Sequence, residues 1–201
     1  MSEIRHPNIA TRASDRPIGG FRLHKTVVMV GMMGAGKTAI GRALAQRLGV
    51  PFLDSDAEIE AAANMTVPEI FTRDGEPFFR AKESQVIARL LHSEPCVLST
   101  GGGAFLAAEN RAAISRAGVS VLLKADLNLL WQRVRHKSTR PLLQTSHPRR
   151  TLREIYEARM PIYALADLAV EAHPDYAIED MVDQVIATLV TRPDVLEAVH
   201  D

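Results

Sequence analysis

Apolar runs of strand length alternate along the chain with stretches of helical period. "TVVMVG" (26–31) is a continuous, β-branched run, the pattern of a strand covered on both faces. "TAIGRALAQRLG" then repeats its apolar residues at helical spacing and closes on Gly49, a helix-ending residue. "VPFLDSD" reads as a short strand ending in two aspartates, and "AEIEAAA" and "VPEIFTRDG" as short helices. A longer helix, "EPFFRAKESQVIARLLH", follows with Pro77 in its first turn, where proline is tolerated. "PCVLST" is a third strand, "AAENRAAISRAG" a helix ending at Gly118, and "VSVLLKA" a fourth strand. "DLNLLWQRVRH" is a helix for which Asp126 is a ready N-cap. "KSTRPLLQTSHPRR" is polar, basic and broken by prolines, which predicts a mobile loop. "TLREIYEARMPIYALA" returns to helix, with Thr151 and Glu154 spaced as a capping box and Pro161 placed to kink it. "DLAVEA" is a fifth strand and "AIEDMVDQVIATLV" a final amphipathic helix.

Five strands separated by helices predict one α/β domain of three layers, a five-stranded parallel sheet with helices on both faces. Its expected bounds are residues 25–192, with a mobile lid at about 137–150. Residues 1–24, polar and carrying Pro7, Pro17 and Gly19–Gly20, are expected to form a flexible extension, and residues 193–201 a tail. In sheets of this kind ligands bind beyond the carboxyl ends of the strands. The chemistry-bearing stretches described below fall just after a strand or in a long loop.

Composition narrows the functional classes. The 201 residues carry 24 basic and 24 acidic side chains, so the net charge offers no footprint for nucleic acid. No apolar run approaches the roughly 18 residues of a membrane span, and the N-terminal stretch lacks the apolar core of a secretion signal. A cytoplasmic protein is the expectation. The single cysteine, Cys96, lies in the apolar run "CVLST" and reads as a small buried residue.

"GMMGAGKT" (31–38) sits between the first strand and the first helix and satisfies Gly-x-x-x-x-Gly-Lys-Thr in full. Its glycines let several backbone N–H groups converge on one point, and the helix N-terminus adds partial positive charge. Lys37 supplies a cation for the β and γ phosphates and Thr38 a hydroxyl for Mg²⁺. Nucleotide binding follows, but the motif does not say whether the phosphate is transferred or hydrolysed. A GTP switch is disfavoured: "LKAD" (123–126) lacks the Asn or Thr of a guanine-reading loop, and the chain contains no Asp-x-x-Gly.

The acceptor side is read from five further stretches. In "FLDSD", Asp54 and Asp56 stand two apart, so both point to one side if the strand continues through them. One can orient a metal and its waters while the other accepts a proton from an attacking hydroxyl; the alternative is a turn in which Asp56 caps the next helix. "STGGGA" puts Gly101, Gly102 and Gly103 directly after a strand, where a ligand can approach the backbone closely. Arg80 in "DGEPFFR", Arg140 in "STRPLL" and Arg159 in "ARMPIY" are forks suited to carboxylate or phosphate.

Taken in order, "GMMGAGKT", "LDSD", "DGEPFFR", "STGGGA", "RPLL" and "RMPIY" resemble the shikimate kinase family over roughly residues 25–190. The resemblance implies a P-loop kinase fold and ATP- and Mg²⁺-dependent phosphorylation of the 3-hydroxyl of shikimate, by a monomer. It assigns Gly34, Ala35, Gly36, Lys37, Thr38 and Ala39 to the nucleotide. Arg133 matches an arginine stacked on adenine, and Arg140 a lid arginine reaching the phosphates. By the same resemblance Asp56 binds the shikimate hydroxyls and acts as base, Arg80 and Arg159 grip the carboxylate, and Gly101–Gly103 line the substrate. Thr38 holds Mg²⁺, with Asp54 assisting through water. The chain departs from the family at Ala39, where a hydroxyl residue is common, and in its longer ends. Two other readings stay open: a related kinase, for example of gluconate, and a nucleotide-binding regulatory module without catalysis.

Overall fold

The computed structural model describes residues 20–136 and 141–199. Its centre is a parallel sheet of five strands in the order β3-β4-β2-β5-β6. The strands are β2 (Thr26–Val30), β3 (Phe52–Asp54), β4 (Val97–Ser99), β5 (Gly118–Lys124) and β6 (Leu168–Glu171). Every residue of β2 is buried, as its almost wholly apolar sequence, β-branched except at Met29, requires of a strand covered on both sides. Val27 pairs with Val97 on one side and Val119 on the other, so β2 sits at the middle of the core.

The chain leaves β2 through α1 (Lys37–Leu48) and moves outward to β3; it then returns through α2 (Ser55–Ala63) and α3 (Val67–Leu91) to β4. It continues through α4 (Ala108–Ala117) to β5, then through α5 (Leu127–Val134) and α6 (Pro148–Tyr163) to β6, and ends the domain with α7 (Ile178–Leu189). Right-handed crossovers that reverse direction at β2 place α1 and α7 on one face and the other crossover helices on the opposite face. The packing of α1 on α7 and of α3 on α4 agrees. The reversal opens a crevice at the carboxyl end of β2, where such sheets hold ligands. A second, small core of Ile59, Ile70 and Phe79 joins α2 to α3 beside this crevice.

Several sequence expectations need correction. The three residues Phe21–Leu23 (β1) and Leu196–Ala198 (β7) lie in the segments expected as extension and tail, yet they pair antiparallel, Phe21 with Ala198 and Leu23 with Leu196. Val195 and Leu196 are buried, and Lys25 meets Asp194 at 2.7 Å. The two expected helices of 67–91 run together but break at Gly75, whose φ of 82° and ψ of 169° are not helical. The expected Thr151–Glu154 capping box does not form. Helix α6 begins earlier, at Pro148, so Thr151 is already inside it and Glu154 pairs with Arg150 at 2.9 Å. The far end of the expected lid is therefore helical, and Pro141–Leu143 forms a short 3-10 turn. Pro161 lies in the last turn of α6, two residues from its end at Tyr163. Among the described residues no helix is long and apolar enough to cross a membrane.

Candidate active site

The loop between β2 and α1 wraps into a cradle. Gly36, at the N-cap of α1, has φ 98° and no side chain to satisfy the N–H groups of the first turn, which are left to a ligand. Lys37 Nζ donates back to the carbonyls of Gly31 (2.8 Å) and Met32 (3.1 Å), so the ammonium is held over the loop. From α5, Arg133 donates to the carbonyls of Gly34 (3.3 Å) and Ala35 (3.4 Å), an anchorage that sequence spacing did not foresee. Met32 is buried in the core and Met33 lines the cleft.

The two aspartates are arranged differently from the period-two expectation. Strand β3 stops at Asp54, and Asp56 belongs to the first turn of α2. Asp54, not Asp56, is the N-cap: its Oδ1 accepts from the N–H of Asp56 at 3.0 Å and of Ala57 at 3.4 Å. Both side chains still line one cleft of about 700 Å³, shared with Lys37, Thr38, Arg80 and Arg159. Burial raises the pKa of the Asp56 carboxyl above its ordinary value and Asp54 adds to the rise, while Arg80 and Lys37 oppose it. Its Oδ1 is buried beside Gly101 without a hydrogen-bond partner, an acceptor left unsatisfied within the protein.

The glycine triad forms the floor between these groups. A Cβ on Gly101 would come within 3.0 Å of Asp56 Oδ1, and one on Gly103 within 2.5 Å of the Arg80 guanidinium. A Cβ on Gly102 would lie 3.3 Å from Arg159 Nη1. Glycine is required because three charged side chains close on this backbone from different elements. Arg80 comes from α3 just beyond the break at Gly75, Arg159 from the last turns of α6, and Asp56 from α2.

Three partners escaped the sequence reading. Glu83, on α3, is 1% exposed and accepts from Arg80 Nη1 at 2.6 Å. Burial raises its pKa, against the pull of Arg80. Tyr163, on α6, donates to the Gly102 carbonyl at 2.5 Å. Ser55 is fully buried and accepts from the Gly101 N–H at 3.4 Å. The signals were positional: Glu83 follows Arg80 by three residues and Tyr163 follows Arg159 by four, so each pair shares a helix face. Arg140 lies outside the described residues. Cys96 is buried, as expected, with its thiol pKa raised by burial.

A family model described as shikimate kinase matches residues 33–190, well over half of the chain. The chain belongs to the shikimate kinase family. The match runs from within the phosphate cradle to the last helix and so contains every side chain described above as lining the cleft. The chain is 68% identical to a shikimate kinase of Ruegeria pomeroyi over 98% of this chain and 99% of that one. It is 69% identical to that of Cereibacter sphaeroides over 88% of each. Among solved structures it is similar to the shikimate kinase of Acinetobacter baumannii in complex with shikimate, with a TM-score of 0.77 and 38% identity over 83% of this chain and 93% of that one. Membership in this family makes the protein a kinase that uses ATP.

Proposed function

We propose that the protein transfers the γ-phosphoryl group of ATP to the 3-hydroxyl of shikimate, giving shikimate 3-phosphate and ADP on the route to chorismate and the aromatic amino acids. The observation that carries this reading is the convergence of Arg80 on Gly103 and Arg159 on Gly102, in the cleft that also holds Lys37 and Asp56. Two guanidinium forks are the complement of a carboxylate, and a glycine floor lets the rest of a small ring lie against backbone. A carboxylate held there presents the ring hydroxyls to Asp56.

Each residue then has a task set by its surroundings. Asp56 accepts the proton of the 3-hydroxyl as the bond to phosphorus forms; its raised pKa makes it a stronger base than an exposed carboxylate. Lys37 exchanges its loop carbonyls for the β and γ phosphates. The first-turn N–H groups of α1 around Lys37, Thr38 and Ala39 take phosphate oxygens, as do those of the loop around Gly34, Ala35 and Gly36. Arg133 keeps that loop in shape and stands where it can also border the nucleotide. To Arg140 we assign, from the sequence resemblance alone, a lid role at the transferring phosphates.

Mg²⁺ fits the cleft through Thr38 and Asp54. Among the described residues no cluster of three or more His, Cys, Asp or Glu offers a cage. One hydroxyl and one carboxylate, with phosphate and water oxygens completing the set, is how kinases hold this ion. When bound it neutralises phosphate charge. From the family resemblance alone we take the working unit to be a monomer, and we place the reaction in the cytoplasm, where ATP is abundant.

A coupled ADP-release assay with shikimate, quinate and gluconate as acceptors tests the reading. Turnover with shikimate is expected. Turnover with gluconate alone would install the related sugar-acid kinase in its place, and ATP binding without turnover on any acceptor would install the regulatory module.

A further inference from the structure

Three glycines in succession have no side chains to hold them, and a glycine backbone has more freedom to lose than any other. Gly101–Gly103 are nevertheless the surface on which Asp56, Arg80 and Arg159 close, so bonds to the backbone itself must fix their position. Part of that hold is internal. The Gly101 carbonyl accepts from the Ala104 N–H at 3.1 Å, and the Gly103 carbonyl from the Leu106 N–H at 3.1 Å. These bonds run the floor directly into the short 3-10 turn Ala104–Leu106. A turn that ends after three residues leaves its own carbonyls in need of partners. Two side chains from the first turn of α4 reach back to them. Asn110, 3% exposed, donates from Nδ2 to the Ala104 carbonyl at 2.9 Å. Arg111 Nη1 donates to the carbonyls of Phe105 at 2.8 Å and Leu106 at 2.7 Å, and its guanidinium carbon stands 6.0 Å from the centre of the Phe105 ring. Three consecutive carbonyls are thus held by two adjacent residues, neither of which lines the cleft.

We propose that Asn110 and Arg111 are positioning residues: they brace the turn that follows the glycine floor and so fix where Gly103 meets the Arg80 fork. Gly103 is the residue immediately before the turn, and a Cβ there would stand 2.5 Å from both terminal nitrogens of Arg80. Fork and backbone are therefore in close contact, and a small shift of the turn changes where the guanidinium rests. The two residue types suit their ends of the turn. A neutral amide satisfies the buried carbonyl without bringing a charge into the core. A guanidinium nitrogen carries two N–H donors, one for each of the outer carbonyls. The inference rests on the reading of Arg80 as part of the carboxylate grip.

The test is steady-state kinetics on the full chain and its Arg111→Met, Arg111→Lys and Asn110→Ala variants, with Arg111→Met made also in an Arg80→Ala background. Methionine keeps an apolar stem against Phe105 and removes both donors. Arg111→Met is expected to raise KM for shikimate about fivefold, the scale of one modest hydrogen bond, with kcat and KM for ATP within about twofold. Arg111→Lys keeps a donating cation and is expected to bring KM back to within about twofold of the unaltered chain. In the Arg80→Ala background Arg111→Met is expected to change kcat/KM for shikimate by less than about twofold, because the residue it acts through is gone. Asn110→Ala is expected to raise KM for shikimate at least as much as Arg111→Met; should it not fold, the Arg111 series decides alone. An unaltered KM for shikimate in Arg111→Met overturns the proposal, as does a parallel rise in KM for ATP. So does an equal loss in both backgrounds, which would mark the pair as supports of the fold only. Failure of the unaltered chain to phosphorylate shikimate would bring down the functional reading itself, and this inference with it. That result is distinct from an active enzyme indifferent to Arg111.

Discussion

Gly103→Ala separates the role of the glycine floor from its contribution to folding. Gly103 has φ −85° and ψ −22°, which alanine adopts without strain. The added Cβ would nevertheless stand 2.5 Å from both terminal nitrogens of Arg80 and 2.6 Å from the guanidinium carbon. Ordinary contact needs about 3.4 Å, so the guanidinium must retreat by roughly 0.9 Å. What gives way is the end of a flexible, partly exposed side chain (35%), not backbone. The fold should therefore tolerate the change, with a stability loss below about 1 kcal/mol and a Tm shift of no more than a few degrees. Function should not tolerate it. A charge-assisted hydrogen bond contributes about 1.5–3 kcal/mol, and a donor displaced by most of an ångström forfeits much of it. KM for shikimate should rise on the order of 10- to 100-fold. ATP affinity, measured by isothermal titration, should be unchanged, since Arg80 is not among the groups assigned to the nucleotide. An unaltered KM for shikimate would refute the placement of Arg80 in the carboxylate grip, and an equal loss of ATP affinity would mean that the whole cleft had moved.

Three other substitutions probe different links. Asp56→Asn should keep ATP binding and lose turnover by about 10²-fold or more, the usual contribution of a general base; near-normal turnover would remove Asp56 from the mechanism. Because the folded-state pKa of Asp56 is raised, the folded protein holds this proton more tightly than the unfolded chain. Stability from this group therefore declines as pH rises from the ordinary aspartate value through the raised one. Thermal melts across that window should show a decline that is smaller in Asp56→Asn, and the wild-type rate should fall as pH drops through the raised pKa. Arg140→Ala should slow phosphoryl transfer and leave shikimate affinity intact; a matching loss of shikimate affinity would move Arg140 out of the lid role. Leu196→Ala removes a side chain that is 1% exposed beneath the β1–β7 pair. It should cost about 2–5 kcal/mol in chemical denaturation while kcat at low temperature stays the same, and a null effect would mean the pair is ornamental to stability.

The parts of the molecule that were legible in its sequence are those encoded locally. Val27 to Val30 form a run that only a doubly covered strand can use, and "GMMGAGKT" carries both its turn residues and its chemistry in eight positions. Asp126 caps α5 as read, accepting from the Leu129 N–H at 2.9 Å, because an N-cap is decided within three residues. The failures have a common physical origin as well. Asp54 and Asp56 share a cleft, but through the turn from strand to helix and not through strand alternation, since the cap at Asp54 starts the helix at Ser55, two residues before the expected Ala57. Thr151 lost its cap role to an upstream proline, Pro148, that starts α6 a turn earlier. Glu83 and Tyr163 carried only a weak positional signal, three and four residues beyond Arg80 and Arg159, and their place in the site is set when the glycine floor packs beside their helices. The Arg80 and Arg159 assignments came from resemblance; what the fold adds is that both close on one glycine floor.

The pairing of β1 with β7 also has a consequence for how the chain is made. His24 and Glu197, which meet at 3.1 Å across this pair, are 173 residues apart. Closing so long a loop is entropically costly, and the contact cannot begin until the far end of the chain exists. A nascent chain emerging N-terminus first would therefore complete the parallel sheet and the phosphate cradle with Phe21–Leu23 still unpaired. Among the described elements β7 would be the last to arrive, so a chain that stops short of Leu196 would leave Phe21–Leu23 without its partner strand.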